Sequence, residues 1–377
     1  MEKIFKYLYQ IVIVFIIIIS VSWSSAMDIR TLEIGESAPD FNLPGVDDKN
    51  YSLKDFADKD ILVIIFTCNH CPTAQSYEDR IIKLVNDYKD KSVAVLCISP
   101  NDPQAIRLDE LGYTDLGDSF EDMKIRAKYK GFNFPYLYDG ENQITSRAYG
   151  PVATPHVFIF DKDRKLRYVG RIDNTEEGVN PNTIHDTRNA LDELLAGKPV
   201  TVAKTKTFGC SIKWSDKRES VKRSYEDMAK EEVAFEMIDE AGIKEMIGND
   251  SEMLRLINVW ATWCGPCVVE FPELVEIYRM YRRRGFEFIA VSADKLTKKD
   301  DVIKFLKKME ASNKNYLFSS DDKYALIEAV DKNWQGALPY TLLVKPGGDI
   351  IYSKQGQIDF LEMKRMIVQV LGREKDW

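Results

Sequence analysis

The chain has 377 residues, 45% of them hydrophobic and 11% aromatic, which is enough for two globular domains that each bury a core of their own. It carries 52 Lys and Arg residues against 60 Asp and Glu, a formal net charge of −8. There is no basic surplus to neutralise phosphates, so nucleic acid is excluded as the expected partner.

The N-terminus predicts export. Two lysines precede the apolar run Ile11–Val21, and residues 24–26 (Ser-Ser-Ala) supply the small side chains of a cleavage site. We therefore predict a signal peptide over residues 1–26. The alternative is an uncleaved membrane anchor over about residues 7–23, since a spanning helix needs roughly 20 residues. Either way we expect a periplasmic or otherwise extracytoplasmic protein, possible N-terminal membrane attachment included.

Residues 30–200 form a first predicted unit in which strands and helices alternate. Its apolar runs indicate strands where they are short and β-branched, and helices where they recur every three to four residues. The predicted strands are 61–67, 93–99, 136–138, 156–160 and 166–172, and the predicted helices are 72–88, 120–130 and 183–195.

Residues 201–232 are charged and lack a sustained apolar period, so we predict a linker there. Residues 233–377 repeat the order of the first unit in a more compact form. The predicted strands are 233–238, 254–260, 286–292, 341–344 and 350–353, and the predicted helices are 241–247, 299–309, 321–330 and 359–371, with one more after Cys267. The expected fold class is α/β, with a central mixed sheet flanked by helices in each unit.

A redox-active dithiol is predicted in the second unit. The run Trp263-Cys264-Gly265-Pro266-Cys267 follows a buried strand and opens a helix. The partial positive charge of a helix N-terminus stabilises a thiolate and lowers the pKa of a cysteine there. Cys264 is therefore the expected nucleophile, and Cys267 closes the disulfide.

The first unit has a similar pattern in Cys68-Asn69-His70-Cys71, also between a strand and a helix. Here we expect Cys68 to attack and Cys71 to resolve. We expect Cys68 to lie at the helix N-terminus, where a cationic His70 and the helix together would stabilise its thiolate and make this site the more oxidising of the two. Half of a zinc site is the alternative, but zinc needs further paired Cys or His ligands and the chain has three histidines. No metal and no bound cofactor are expected.

Each unit also has one proline at the start of a strand after its dithiol. These are Pro155, after Thr154, and Pro339, after Leu338. A cis bond costs little only before proline, and the backbone beside a cis-proline can pair with a substrate peptide as an added strand. We predict that both prolines are cis and that Thr154 and Leu338 contact the substrate.

The second unit resembles thioredoxin-like proteins of the TlpA/ResA type over residues 233–377. The residues that carry the resemblance are Asn258, Trp263, Cys264, Cys267, Glu270, Phe271, Pro272 and Pro339. It implies a thioredoxin-like fold, a substrate contact at Trp263 and a proton-relaying role for Glu270 near the buried cysteine. The alternative for Glu270 is an ordinary surface carboxylate.

The first unit resembles the peroxiredoxin-like branch (AhpC/TSA, redoxin) of the thioredoxin superfamily. The residues that carry this resemblance are 38–41 (Ala-Pro-Asp-Phe), 147–150 (Arg-Ala-Tyr-Gly) and 158–161 (Phe-Ile-Phe-Asp). It implies a second thioredoxin-like fold. If Cys71 holds the peroxide-reducing position, Cys68 replaces the family's Thr or Ser three residues earlier, and the activating arginine is missing near Pro155. Both departures favour dithiol exchange over peroxide reduction.

Two cysteines remain. Cys97 lies within an apolar strand and is expected to be a buried small hydrophobe. Cys210 has three possible roles: an inert thiol, a partner for Cys97, or a resolving cysteine that attacks the Cys68–Cys71 site.

The sequence therefore predicts an exported thiol–disulfide oxidoreductase that acts on protein thiols and disulfides and receives or delivers electrons through a membrane or periplasmic partner. One alternative is a thiol-dependent peroxidase (an antioxidant enzyme) in which the second domain recycles the first. Another is a redox-inert module that holds peptides beside its cis-prolines.

Overall fold

The computed structural model describes residues 29–176 and 178–372, so the predicted signal peptide lies outside the described residues. The strands of the first unit are β1 to β8: Asn42–Pro44, Asn50–Ser52, Ile61–Phe66, Val93–Ser99, Tyr136–Tyr138, Ala153–Thr154, His156–Phe160 and Leu166–Gly170. Its helices are α1 to α4: Pro72–Tyr88, Phe120–Lys130, Ile144–Tyr149 and Asp186–Leu195. Within the described part of the chain, no helix is both long and apolar enough to span a membrane.

The segment after α4 contributes strand β9 and helix α5: Cys210–Ser211 and Arg218–Met228. The strands of the second unit are β10 to β15: Glu236–Ile238, Leu254–Trp260, Phe286–Ser292, Lys314–Phe318, Tyr340–Val344 and Ile350–Gln355. Its helices are α6 to α10: Glu240–Gly248, Gly265–Tyr281, Lys299–Lys308, Lys323–Val330 and Phe360–Leu371.

Each unit is built on one mixed sheet. The strand order is β5-β4-β3-β7-β8 in the first unit and β10-β13-β12-β11-β14-β15 in the second. In both, the strand before the dithiol is parallel to one neighbour and antiparallel to the other, which begins just after a proline. The architecture confirms the predicted α/β class with two thioredoxin-like folds.

The central strands are apolar throughout because both faces of each sheet are covered. In β3, the side chains of Ile61, Val63 and Ile65 enter one core cluster, while those of Leu62 and Ile64 enter the cluster on the opposite face. Strand β11 divides its side chains between two clusters in the same way. The period-two alternation therefore separates two buried faces here, and not a buried face from solvent.

The predicted linker is largely structured. Residues 203–205 run beside Val169, β9 pairs with β6, and α5 buries Val221 and Met228. Isolated apolar residues hold this segment against the rest of the protein. Its sequence therefore lacks the sustained hydrophobic period that would predict helices or strands.

The two units contact each other through the first unit's Leu108–Leu111 turn and the residues after it. Leu108 joins the core cluster of the second unit. The hydroxyl of Tyr281 donates to the Thr114 carbonyl at 2.6 Å, and Arg284 Nη1 donates to the Gly112 carbonyl at 2.9 Å. Arg365, on the last helix, reaches the Asp115 carboxylate at 3.1 Å. A loop of the first unit is therefore held by the second.

Candidate functional site: two helix N-termini with sulfur caps

The second dithiol lies where β11 gives way to α7. Cys264 is the N-cap of α7, and its Sγ accepts a hydrogen bond from the Cys267 backbone N–H at 3.3 Å. The two cysteines form a disulfide with Cα atoms 5.3 Å apart. Cys267 is fully buried and Cys264 is 6% exposed, so the outer sulfur is the one that a partner can reach.

A cis-proline and an exposed tryptophan lie near this disulfide in the fold and in the sequence, respectively. The Leu338–Pro339 peptide bond is cis, as predicted. Tyr340, the next residue, pairs with Val259 of β11, which places Pro339 at the end of the sheet where the dithiol lies. Trp263 is 63% exposed, an unusual position for so large an apolar side chain, and it directly precedes Cys264.

Glu270 is buried one helical turn after Cys267, which excludes the alternative of a surface carboxylate. Asn258 Nδ2 donates to Glu270 Oε1 at 3.1 Å, and the Ile358 backbone N–H donates to Oε2 at 3.4 Å. Burial raises the pKa of Glu270 to about 7, although these two hydrogen bonds and the charge of Lys354 act in the opposite direction. A carboxyl group with that pKa can take or give a proton near neutral pH.

Strand register aligns the two sites and corrects one prediction. In each unit the residue after the cis-proline pairs with the strand before the dithiol: His156 with Phe66, and Tyr340 with Val259. Cys71 follows Phe66 by five positions, as Cys264 follows Val259. Cys71 is therefore the counterpart of Cys264.

The helix starts agree with this alignment. Cys71 is the N-cap of α1, and its Sγ accepts from the Ala74 backbone N–H at 3.4 Å, as Cys264 accepts from Cys267. The prediction that Cys68 lies at the helix N-terminus was wrong, because α1 begins at Pro72 and leaves Cys68 in the preceding loop. Ala74 stands where the second site has Cys267.

The first site also has an unexpected disulfide. Cys71 is bonded to Cys210, with Cα atoms 5.8 Å apart, while Cys68 and Cys97 are free thiols. The expected Cys68–Cys71 pair is therefore not the one formed. Of the three roles considered for Cys210, pairing with Cys97 is wrong: Cys97 is fully buried in β4, where burial raises the pKa of its thiol.

Cys210 reaches Cys71 because β9 pairs antiparallel with β6. Thr154 and Cys210 are Cα partners, directly before the cis Thr154–Pro155 bond. Both predicted cis-prolines are confirmed. Thr154 is buried next to the sulfur atoms of Cys68 and Cys71. Its Oγ1 lies 3.1 Å from Cys68 Sγ, and its carbonyl lies 3.5 Å from Cys71 Sγ.

His70 is fixed by a residue that the sequence did not indicate. Its Nδ1 lies 2.6 Å from Asp118 Oδ2, and Asn101 donates to the same oxygen at 2.7 Å. The other Asp118 oxygen accepts the backbone N–H groups of Asn69 and His70. Asp118 is 48 positions away in a loop, and nothing in its local sequence distinguishes it.

The Asp118 carboxylate controls the charge of His70. Burial lowers the pKa of His70, but the charge of Asp118 and the nearby Cys68 sulfur outweigh it and raise the value to about 10. The pKa of Asp118 is lowered, because His70 and its hydrogen bonds overcome the effect of burial. His70 is thus an imidazolium at neutral pH, held between a carboxylate and a sulfur.

Cys68, His70 and Asp118 each place one ligand atom within 4.8 Å of the other two. Among the residues that the structure describes, they are the group that could hold a metal ion. The 2.6 Å bond between Asp118 and His70 Nδ1 makes the group a hydrogen-bonded chain instead of three donors aimed at one point. This geometry fits a proton and charge relay toward Cys68.

Comparison with known proteins gives the class and then the family. The fold and the capped disulfides define a thioredoxin-superfamily protein. The Redoxin family model matches residues 33–191 and again 254–367, together well over half of the chain. The chain belongs to the Redoxin family.

Individual relatives match parts of the chain. The thiol-disulfide oxidoreductase ResA of Oceanobacillus iheyensis is 32% identical over 112 residues, which are 27% of this chain and 50% of the relative. The chain therefore spans about half the length of this curated relative.

Two solved structures are also similar. An uncharacterised conserved protein from Geobacillus kaustophilus shares 37% identity over 49% of this chain and 94% of its own, with a TM-score of 0.44. A thiol:disulfide interchange protein of the thioredoxin family from Chlorobium tepidum shares 16% identity over 44% of this chain and 99% of its own, with a TM-score of 0.32.

Proposed function

We propose that the protein is an exported thiol–disulfide oxidoreductase that exchanges disulfides with protein partners. The observation that carries this proposal is the Cys264–Cys267 disulfide at the N-terminus of α7, with its outer sulfur beside a cis-proline. Peptides can pair with the backbone at such an edge while their cysteine meets the nucleophile. The apolar run near the N-terminus supports export.

The exchange needs no cofactor, because the cysteines hold the electrons. In the reductive direction, the Cys264 thiolate attacks a partner disulfide, and one partner sulfur leaves as a thiolate and takes up a proton. Cys267 then attacks Cys264, loses its own proton, and releases the second partner thiol. Glu270, with a pKa of about 7, is the residue suited to accept the proton of Cys267.

Within the chain, the proposed electron flow runs from the second site to the first. A cationic His70 stabilises negative charge on the Cys68 sulfur, which is released when a Cys68–Cys71 disulfide is reduced, so it raises the reduction potential of that pair. Reduction of a Cys68–Cys71 disulfide by the reduced Cys264/Cys267 pair would then be downhill. A membrane or periplasmic dithiol would restore the second site.

Reduction of insulin by the full chain, with dithiothreitol as donor, tests the proposal. We expect Cys264→Ser to lose the second site's activity and Cys267→Ser to accumulate mixed disulfides through Cys264. Cys97→Ala, which removes a buried thiol outside both sites, is the control. Insulin reduction by the wild type no faster than by dithiothreitol alone would identify a redox-inert peptide-binding module instead.

A thiol peroxidase is the second candidate, and the Cys71–Cys210 disulfide is the observation that favours it. Peroxide would oxidise the Cys71 thiolate to a sulfenic acid, and Cys210 would condense with it and release water. Peroxide-dependent consumption of dithiothreitol that survives Cys264→Ser but not Cys71→Ser would support this activity.

A further inference from the structure

The first site is already occupied by a strand of its own chain. Strand β9 pairs with β6 directly before the cis bond, the place where a substrate peptide is expected to add as a strand. Its cysteine is bonded to Cys71, the sulfur that aligns with the nucleophile Cys264. A protein substrate caught halfway through exchange would present these same two features.

We infer that residues 207–211 are an internal substrate of the first site, that the Cys71–Cys210 bond is an internal mixed disulfide, and that Cys68 is the thiol that opens it. The inference rests on the proposed function and deepens it. The substrate class that it assigns to the first site is an extended peptide that contains a cysteine. Cys210 is the cysteine of the internal substrate, and Cys68 is the thiol that releases it.

The strand is fitted closely to the edge it occupies. A Cβ on Gly209 would lie 2.0 Å from the Thr154 carbonyl oxygen, and the φ of Gly209 is +134°. Thr207 Oγ1 donates to the Pro155 carbonyl at 2.8 Å, and the ring of Phe208 packs 6.3 Å from that of Tyr77. The edge therefore selects a glycine before the cysteine.

The ends of the segment are anchored independently of the disulfide. The Thr205 backbone N–H donates to the Val169 carbonyl at 3.1 Å, and the Lys213 backbone N–H donates to Asn101 Oδ1 at 2.9 Å. Once the disulfide is broken, residues 207–211 can therefore leave the edge only as a loop that is held at both ends. Because a short tether keeps a group at an effective concentration in the millimolar range, Cys210 competes strongly with any external cysteine.

Cys68 is placed to open the bond. It forms one small cluster with Cys71, Ala74 and Cys210, next to the His70 imidazolium. Cys68 attacks Cys71 Sγ as a thiolate, the Cys71–Cys210 bond breaks, and its electron pair leaves with Cys210. The proton lost by Cys68 is balanced by the one that Cys210 takes up, so nothing is oxidised or reduced overall. The product is the Cys68–Cys71 disulfide with an uncovered edge.

The decisive experiment follows all three cysteines of the full chain during titration with a reduced and oxidised dithiothreitol series. Differential alkylation and mass spectrometry report which thiols are free. Because the two disulfides are isomers of one oxidation state, their ratio does not depend on the potential. We expect a constant fraction of the oxidised protein in which Cys210 is alkylated and Cys68 is protected, the signature of the Cys68–Cys71 isomer. In Cys68→Ser that fraction should be absent, with Cys71 and Cys210 becoming alkylated together as the protein is reduced. Oxidised wild-type protein in which Cys68 is fully alkylated at every potential would overturn the inference.

A second variant pair tests the strand without removing a thiol. Gly209→Ala should expel residues 207–211, so that oxidised protein contains Cys68–Cys71 and an alkylatable Cys210. Gly178→Ala is the matched control, because Gly178 has a φ of +122° and no neighbour within 4 Å of an added Cβ. An unchanged Cys71–Cys210 bond in Gly209→Ala would contradict the inference. Insulin reduction through Cys264 serves as the separate readout of the proposed function in all of these variants.

Discussion

The two sites of this chain place a sulfur atom at the same point of the same fold and give it different partners. Cys264 and Cys71 both cap a helix, and both accept a hydrogen bond from the third residue after them. In the second site that third residue is Cys267, and the disulfide closes within one helical turn. In the first site it is Ala74, and the partner, Cys210, comes from another strand. The helix N-terminus fixes the position of the capping sulfur, but the residues around it determine which cysteine that sulfur is bonded to.

The different sequence separation of the two disulfides should have its largest effect on the free energy of unfolding of each unit. The Cys71–Cys210 bond joins residues 139 positions apart, while the Cys264–Cys267 bond joins residues 3 apart. On the chain-entropy description, these loops correspond to about 5 and about 2 kcal/mol of stabilisation. We expect Cys210→Ser to reduce the protection of β3 amides from hydrogen exchange by more than Cys267→Ser reduces that of β11. The unmutated unit is the internal control, and equal losses would contradict the prediction.

Ala74→Cys should convert the first site into a copy of the second. Ala74 is fully buried in the position of Cys267, so the new thiol would lie one turn from Cys71. We expect the introduced thiol to form a disulfide with Cys71 and to leave Cys210 free in oxidised protein, detected by mass spectrometry of an unreduced digest. One added sulfur in a packed core costs about 1–3 kcal/mol, which the fold can tolerate. A Cys71–Cys210 bond that persists alone would disprove the alignment of the two sites.

Much of the fold could be predicted from the sequence, because the positions of strands, helices and cis-prolines depend on local sequence pattern. Strand β4, helix α1 and helix α2 have the predicted bounds, and both prolines are cis. Strand β13, which lies between β10 and β12, was missed, because its Lys314-Asn315-Tyr316 start has no apolar run.

The misassigned features depend on distant contacts. The Cys68–Cys71 spacing predicts a disulfide within the motif, but Cys71 caps helix α1 and is bonded to Cys210 instead. Cys210 lies in a charged segment whose pairing with β6 is invisible before folding. Asp118 reaches His70 across 48 positions of chain. Each of these contacts is set by tertiary structure, which a pattern of single residues does not encode.

The two buried histidines of the first unit offer a contrast in charge. Burial alone lowers the pKa of His156 to about 4, whereas Asp118 and Cys68 raise that of His70 to about 10 against the same effect. We expect Asp118→Asn to bring the pKa of His70 below about 6.5, as burial then dominates. NMR titration of the imidazole protons measures it, and His156 is the control that should not move.

The raised pKa of His70 also affects the stability of the wild-type protein. A raised folded-state pKa stabilises the native protein fully below the unfolded value near 6.5, and this contribution is lost as the pH rises toward about 10. The wild type should therefore lose its advantage over Asp118→Asn across that window. A His70 that titrates near its ordinary value in the wild type would remove the charge difference between the two sites.

Glu270 should give the smallest effect and the one specific to the second site. Between pH 4.5 and about 7, the folded protein retains a proton on Glu270 that the unfolded chain has released. The free energy of unfolding of the wild type should therefore fall with pH there, by at most about 1.4 kcal/mol per pH unit relative to Glu270→Gln. Glu270→Gln should also slow disulfide exchange through Cys264 near pH 7, since Cys267 loses its proton acceptor. Glu273→Gln, on the exposed face of the same helix, is the matched control. If Glu270→Gln and Glu273→Gln have the same pH–rate profile, proton transfer in the second site does not involve Glu270, and the buried carboxyl group has only a structural role.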